Sequence, residues 1–196
     1  MKAYYDARAP EYDEWYLGLG RFDGLDRPDW DEELHELERA IAALPAARTL
    51  DVACGTGFLT CHLRGEVTGL DQSERMLGLA RQRLPTADFV CGDALELPFG
   101  DRSFERVFTG HFYGHLQELA RLSFLAQARR VAPELVIVDA VLRPDRQPAE
   151  WQQRTLNDGS RYQVYKRYLA PERLLEEIGG GHTLLEGRWF VLVASP

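Results

Sequence analysis

Residues 50–57 read LDVACGTG, an aliphatic run that breaks straight into glycines. A solvated loop would not place Leu50 and Val52 immediately before that break. The pattern is that of a buried strand ending where the main chain must leave room for something to approach it, since glycine has no Cβ and adopts left-handed dihedrals freely.

Short apolar runs alternate with amphipathic stretches through most of the remaining chain. RTLDVA (48–53), EVTGLD (66–71), ADFVCGD (87–93), the run ending RVFTG at 110 and ELVIVDAVL (134–142) read as strands. The last of these is the most apolar and is expected to be central, because strands buried on both faces are continuously hydrophobic. Residues 31–44 place Leu34, Leu37, Ile41 and Leu44 on one helical face and stop at Pro45. Residues 54–65 read as a loop entering a helix, and 73–84 as a helix capped by Ser73, with Met76, Leu77, Ala80 and Leu84 inward. Residues 116–132 form a further helix with Leu119, Leu122, Ala126 and Ala128 inward, and 171–180 a last one with Pro171 in its first turn.

Strands alternating with helices imply βαβ units and a parallel sheet with helices on both faces. HTLLEG and RWFVLVAS near the end lie too close together for a crossover, so they pair antiparallel. The expected class is α/β, with seven strands, mostly parallel, and an antiparallel last strand. At 196 residues the chain suits one domain, with residues 1–30 as an N-terminal arm or lid and 143–170 as an insertion covering the substrate.

A net charge of −8 disfavours nucleic acid as a partner, because phosphate binding wants a basic surface. Cys54, Cys61 and Cys91 supply no disulfide framework, which points to a reducing cytoplasm. The N-terminus lacks the apolar run of a signal peptide, and no stretch approaches a membrane span. Monomer and homodimer both remain open.

A glycine turn at the tip of a parallel strand, leading into a helix, suits a ligand with an anionic group. It is not a dinucleotide fingerprint: Gly55-Thr56-Gly57 is followed by Phe58, Leu59 and Thr60, with no third glycine. The stretch Asp51-Val52-Ala53-Cys54-Gly55-Thr56-Gly57 resembles the first motif of the class I S-adenosylmethionine-dependent methyltransferases, acid-x-Gly-x-Gly-x-Gly. Ala53 replaces the first glycine and is read as a harmless exchange of small residues. Tyr5-Asp6 and Tyr12-Asp13 resemble the arm of the family's small-molecule members.

The resemblance implies a Rossmann-like fold, S-adenosylmethionine as cofactor and a cofactor site at successive strand tips. Asp51, Ala53, Cys54, Gly55, Thr56 and Gly57 would form its floor. Asp71 would accept both ribose hydroxyls, with Gln72 and Met76 beside it. Asp93 would receive the adenine amino group, Ala94 would offer a backbone N–H to the ring, and Leu95 would flank it. Gly110 would lie by the methionine part, and Tyr5 and Tyr12 would cover the sulfonium with aromatic faces.

Methyl transfer in line needs close, aligned partners more than it needs acid–base help. His111 is the first candidate for a base, ahead of Tyr113 and His115. No metal is expected, since Glu118 is the only further ligand near that histidine pair. Thr109-Gly110-His111-Phe112 lacks the Pro-Pro-aromatic signature of nucleic-acid-base methylation, so the acceptor is expected to be a small molecule. His115, Trp151, Tyr162 and Tyr165, with Arg154, Lys166 and Tyr168, would form a pocket for a planar or anionic group. The rival readings are a nicotinamide-dependent oxidoreductase and a non-catalytic S-adenosylmethionine-binding module.

Overall fold

The computed structural model describes residues 1–196. Two short helices, α1 (Lys2–Arg8) and α2 (Glu14–Leu17), precede α3 (Trp30–Ala43). There follow β1 (Thr49–Val52), β2 (Val67–Asp71), α4 (Glu74–Arg83), β3 (Asp88–Cys91), β4 (Arg106–Gly110), α5 (Glu118–Val131) and β5 (Glu134–Ala140). A hairpin of β6 (Ala149–Thr155) and β7 (Arg161–Arg167), then α6 (Pro171–Glu177), β8 (His182–Glu186) and β9 (Phe190–Ser195), complete the chain.

The main sheet has the order β3-β2-β1-β4-β5-β9-β8. The first five strands pair parallel, and β9 runs antiparallel to both of its neighbours. This is the expected Rossmann-like architecture, with β4 rather than β5 at the centre of the order. From β1 the chain winds outward through β2 and β3, then returns to begin again at β4. The carboxyl ends of β1 and β4 therefore flank a switch point, where open α/β sheets bind ligands.

Alternation along β5 explains the two-sided core. Leu135 and Ile137 pack with Phe124, Ala128 and Val131 of α5 and Leu174 of α6, while Val136 and Val138 pack with Leu34, Leu37 and Ile41 of α3. Each such side chain, fully buried, contributes about 1.5–3 kcal/mol. Ser73 caps α4, its hydroxyl accepting the Met76 N–H at 3.2 Å.

Two helical expectations need correction. Leu119 and Leu122 of α5 are 80% and 59% exposed. The bulky Phe124 sets the phase of the helix instead, with Ala128 and Val131. After β1 there is no α-helix, only a 3-10 turn at Thr60–His62. The chain then turns back at Gly65, where a Cβ would stand 2.3 Å from the Ala47 carbonyl oxygen.

Glu33 of α3 is buried, and its carboxylate accepts the N–H groups of Arg188, Trp189 and Phe190 at 2.7–2.9 Å. Gly187 is needed beside it, because a Cβ there would stand 2.1 Å from Glu33 Oε1. Glu33→Ala strands three donors at the β8–β9 turn and is expected to lower stability by about 2–3 kcal/mol in urea unfolding.

Candidate cofactor and acceptor site

The turn after β1 uses left-handed backbone three times, at Ala53 (φ 59°), Gly55 (φ 57°) and Gly57 (φ 76°). Ala53 is thus not a free exchange for glycine, since an L side chain in that region costs about 1–2 kcal/mol. Asp51 lies beneath the turn. One of its oxygens accepts the Thr60 hydroxyl at 2.6 Å, and the other, Oδ1, is buried without a partner. Burial pushes this carboxyl up to about 7. An orphaned acceptor against a glycine turn fits a ligand that brings its own donor.

Asp71 ends β2, and its carboxylate accepts the N–H groups of Gly55 (3.0 Å) and Ser73 (2.8 Å). Each oxygen keeps a lone pair for a hydroxyl, as ribose recognition requires. Burial raises its pKa, and the backbone donors oppose that shift. Met76 is fully buried and Gln72 half-buried behind it. Asp93 lies just past β3, next to β2, exposed and accepting the Leu95 N–H at 2.8 Å, with Ala94 buried between them. Cys54 is buried, and the cleft that Asp51, Ala53 and Cys54 line also includes Gly110 at the tip of β4.

The N-terminal arm lies over this floor. Tyr12 stands above Gly55, 3.6 Å from where a Cβ would be, and Tyr5 follows it at 6.5 Å between ring centroids. The acids of the two Tyr-Asp pairs latch the arm: Asp6 accepts the Ser73 hydroxyl at 2.6 Å, and Asp13 accepts the Thr56 hydroxyl at 2.6 Å and pairs with Arg83 at 2.6 Å. Beneath it a cleft of about 10 Å³ remains among Tyr12, Tyr16, Asp51 and Gly110. That is about the least that admits one water, so the arm must lift for a larger ligand to enter.

Beyond β4, His111 is held in left-handed backbone (φ 55°), strain of the kind concentrated at functional sites. Trp15, Tyr16 and Phe190 surround its ring at 4.9–5.7 Å, and Nε2 has no partner. Burial pushes the imidazole down to about 4. It is neutral at pH 7 and can take a proton only as a weak base. His115 is buried too, Nδ1 sitting 2.6 Å from the Tyr165 carbonyl.

Sequence reasoning missed Asp139, at the end of β5, although a lone acid in an otherwise apolar strand is a signal. It pairs with Lys166 of the hairpin, accepts the Gly114 N–H at 2.7 Å and lies 3.9 Å from His111 Nδ1. Burial alone would raise its pKa, but the Lys166 ammonium against it outweighs that and holds it ionised.

A cavity of about 570 Å³ opens between the arm, the strand tips and the hairpin. His111, His115, Arg154, Lys166 and Tyr168 line it, as expected. Trp151, Tyr162 and Tyr165 do not. Trp151 and Tyr165 pair across the outer face, with Trp151 60% exposed, while Tyr162 packs on Tyr4. One strand alternates its faces, and Arg154 rather than Trp151 holds the inner one.

A family described as Methyltransferase domain matches residues 49–134, the span of β1 to the start of β5. Over nearly its full length the chain is similar to the DhpI-SAM-HEP complex, with a TM-score of 0.77, 27% identity, and coverage of 99% of this chain and 95% of that one. These likenesses support a class I S-adenosylmethionine-dependent methyltransferase. S-adenosylmethionine is the cofactor of that family. A demethylmenaquinone methyltransferase of Thermotoga maritima is 36% identical over 107 residues, covering 52% of this chain and 44% of its own. A phthiotriol/phenolphthiotriol dimycocerosates methyltransferase of Mycobacterium ulcerans is 38% identical over 120 residues, covering 56% and 42%. The chain thus spans less than half the length of these two curated relatives. The missing helix after β1 also counts against a nicotinamide dinucleotide, whose pyrophosphate needs a helix N-terminus there.

Unfolded histidine takes its proton near 6.5 and His111 at about 4, so between those values the unfolded chain binds more protons and stability rises with pH. Asp51, raised to about 7, works in the opposite sense over an overlapping range. His111→Asn, whose side chain tolerates the left-handed backbone, removes the first effect alone. Urea unfolding is expected to show the change in stability between pH 6.5 and 4.5 shifted by about 2 kcal/mol against the parent chain.

Proposed function

We propose that this chain transfers the methyl group of S-adenosylmethionine to a small-molecule acceptor. One observation carries the reading: the unpartnered Asp51 oxygen, the left-handed glycine turn and the Asp71 carboxylate converge at the tips of β1 and β2. When bound, the cofactor supplies a methyl on a cationic sulfur, which an acceptor lone pair takes in line as the carbon–sulfur pair returns to sulfur. The chain's own part is to hold and enclose. Asp51 offers its free oxygen to a donor on the amino-acid end, and Asp71 grips the ribose. Tyr5 and Tyr12 cover the sulfonium and exclude water, which favours alignment over solvent reorganisation. His111, strained and facing the larger cavity, is the group placed to receive a proton if the acceptor must lose one.

The names of the relatives support a small-molecule acceptor. All three cysteines are free, which supports a reducing compartment such as the cytoplasm. No helix is long and apolar enough to cross a membrane.

Asp71→Ala is expected to weaken binding of S-adenosylhomocysteine by about 1–3 kcal/mol in calorimetry, because the ribose hydroxyls lose a charged acceptor. Unchanged affinity would remove the assignment. Release of S-adenosylhomocysteine from the cofactor with candidate acceptors present separates an enzyme from a module that only binds.

A further inference from the structure

The cavity under the hairpin is charged with one sign. Seven basic side chains line it against two carboxylates, Glu11 and Asp26, in a chain whose net charge is −8. Four of these cations are already answered. Lys166 has Asp139, Arg143 has both oxygens of Asp145 at 3.0 Å, Arg146 shares that carboxylate at 3.7 Å, and Arg27 has the Trp15 carbonyl at 2.8 Å and the Trp30 ring. Glu11 is turned to the Asn157 N–H.

Arg8 and Arg154 are different. Arg8 is buried, and its guanidinium donates to the Tyr4 hydroxyl at 2.5 Å. Arg154, on the inner face of β6, approaches the same hydroxyl at 3.4 Å. Its fork is held by the Gln152 carbonyl oxygen at 3.0 and 3.3 Å, and Gln152 is itself fixed by Glu150 and Tyr168. Neither guanidinium pairs with a carboxylate. Two like charges on one phenol, one buried and one half-buried, are costly unless an anion joins them.

The cofactor does not supply enough negative charge. It brings one carboxylate, one ammonium and one sulfonium, and so leaves the enclosed space more positive than before. Arg8 lies against the Tyr12 ring, on the cofactor side, and can answer that single carboxylate. Arg154, on the roof, is left over.

We propose that the acceptor carries an oxyanion, seated on the Arg154 fork under the β6–β7 hairpin. The word acceptor rests on the methyltransferase reading, while the anion seat itself does not. With Nε and one Nη2–H held by Gln152, the Nη1–Nη2 edge faces no protein carboxylate, and such a planar pair of donors recognises carboxylate or phosphate-type oxygens in pairs.

The test is calorimetric titration of inorganic phosphate and of benzoate into the full chain saturated with S-adenosylhomocysteine, with benzyl alcohol as the neutral control. At least one anion is expected to bind and the alcohol not. Phosphate alone would mark a phosphate-type headgroup, and benzoate a carboxylic acid. Arg154→Gln is expected to weaken the anion at least tenfold, and Arg154→Lys, which keeps the charge but not the fork, by about threefold. Affinity for S-adenosylhomocysteine should be the same in both variants. Should the Gln variant not fold, the loss in the Lys variant carries the test. Absence of anion binding to a chain that binds S-adenosylhomocysteine, or equal binding in the variants, overturns the proposal. If the parent chain does not bind S-adenosylhomocysteine, the methyltransferase reading falls, and the same anion titrations without it still decide the seat.

Discussion

Asp139 is the interaction through which the floor of the site and its roof become one object. Its carboxylate ends a strand that belongs to the sheet, yet its partners come from two other places, the turn after β4 and the strand β7. The contact demands glycine at 114, where a Cβ would lie 2.9–3.0 Å from the carboxylate oxygens. A buried ion pair of this kind gives little net stability over an apolar core, because both charges lose their water. What it gives is position. With Lys166 fixed, β7 sits in one register above the sheet, and Arg154 on its partner strand β6 faces inward.

The arm completes the enclosure from the other side, and it touches both parts. Asp6 and Asp13 bind the loops after β2 and β1, while Glu11 and Glu14 bind Asn157 at the hairpin tip. Tyr4 packs with Leu156 and Val164 of the hairpin region, so arm and hairpin share a small apolar core of their own. The strand tips and the cavity beside them are thereby covered by one connected layer.

What could be read from the sequence was local or periodic. The Ser73 cap, the α3 stripe and the final antiparallel pair depend on neighbours in the chain, and these readings agree with the structure. The strand-tip acids were singled out by the family resemblance, and of them Asp71 meets the glycine turn directly, through the Gly55 N–H. The failures have a common cause, which is that one stretch does not say which of its faces meets the rest. Leu119 and Leu122 lost the inner face of α5 to Phe124, and Trp151 and Tyr165 pair outside a hairpin whose inner face carries Arg154 and Lys166. Partners such as Glu33 with the β8–β9 turn, or Asp139 with Lys166, are far apart in sequence, so a lone acid in an apolar strand can mark Asp139 but not the residue it meets.

The arm is fastened to residues far along the chain. Its contact from Glu11 to Asn157 spans 146 positions, and such distant closures form late because their loop entropy must be met first. Its nearer latches, Asp6 to Ser73 and Asp13 to Thr56 and Arg83, span 43 to 70 positions and do not need the hairpin. The cover over Gly55 thus has two separate fastenings, and releasing the one at the hairpin leaves the other closed.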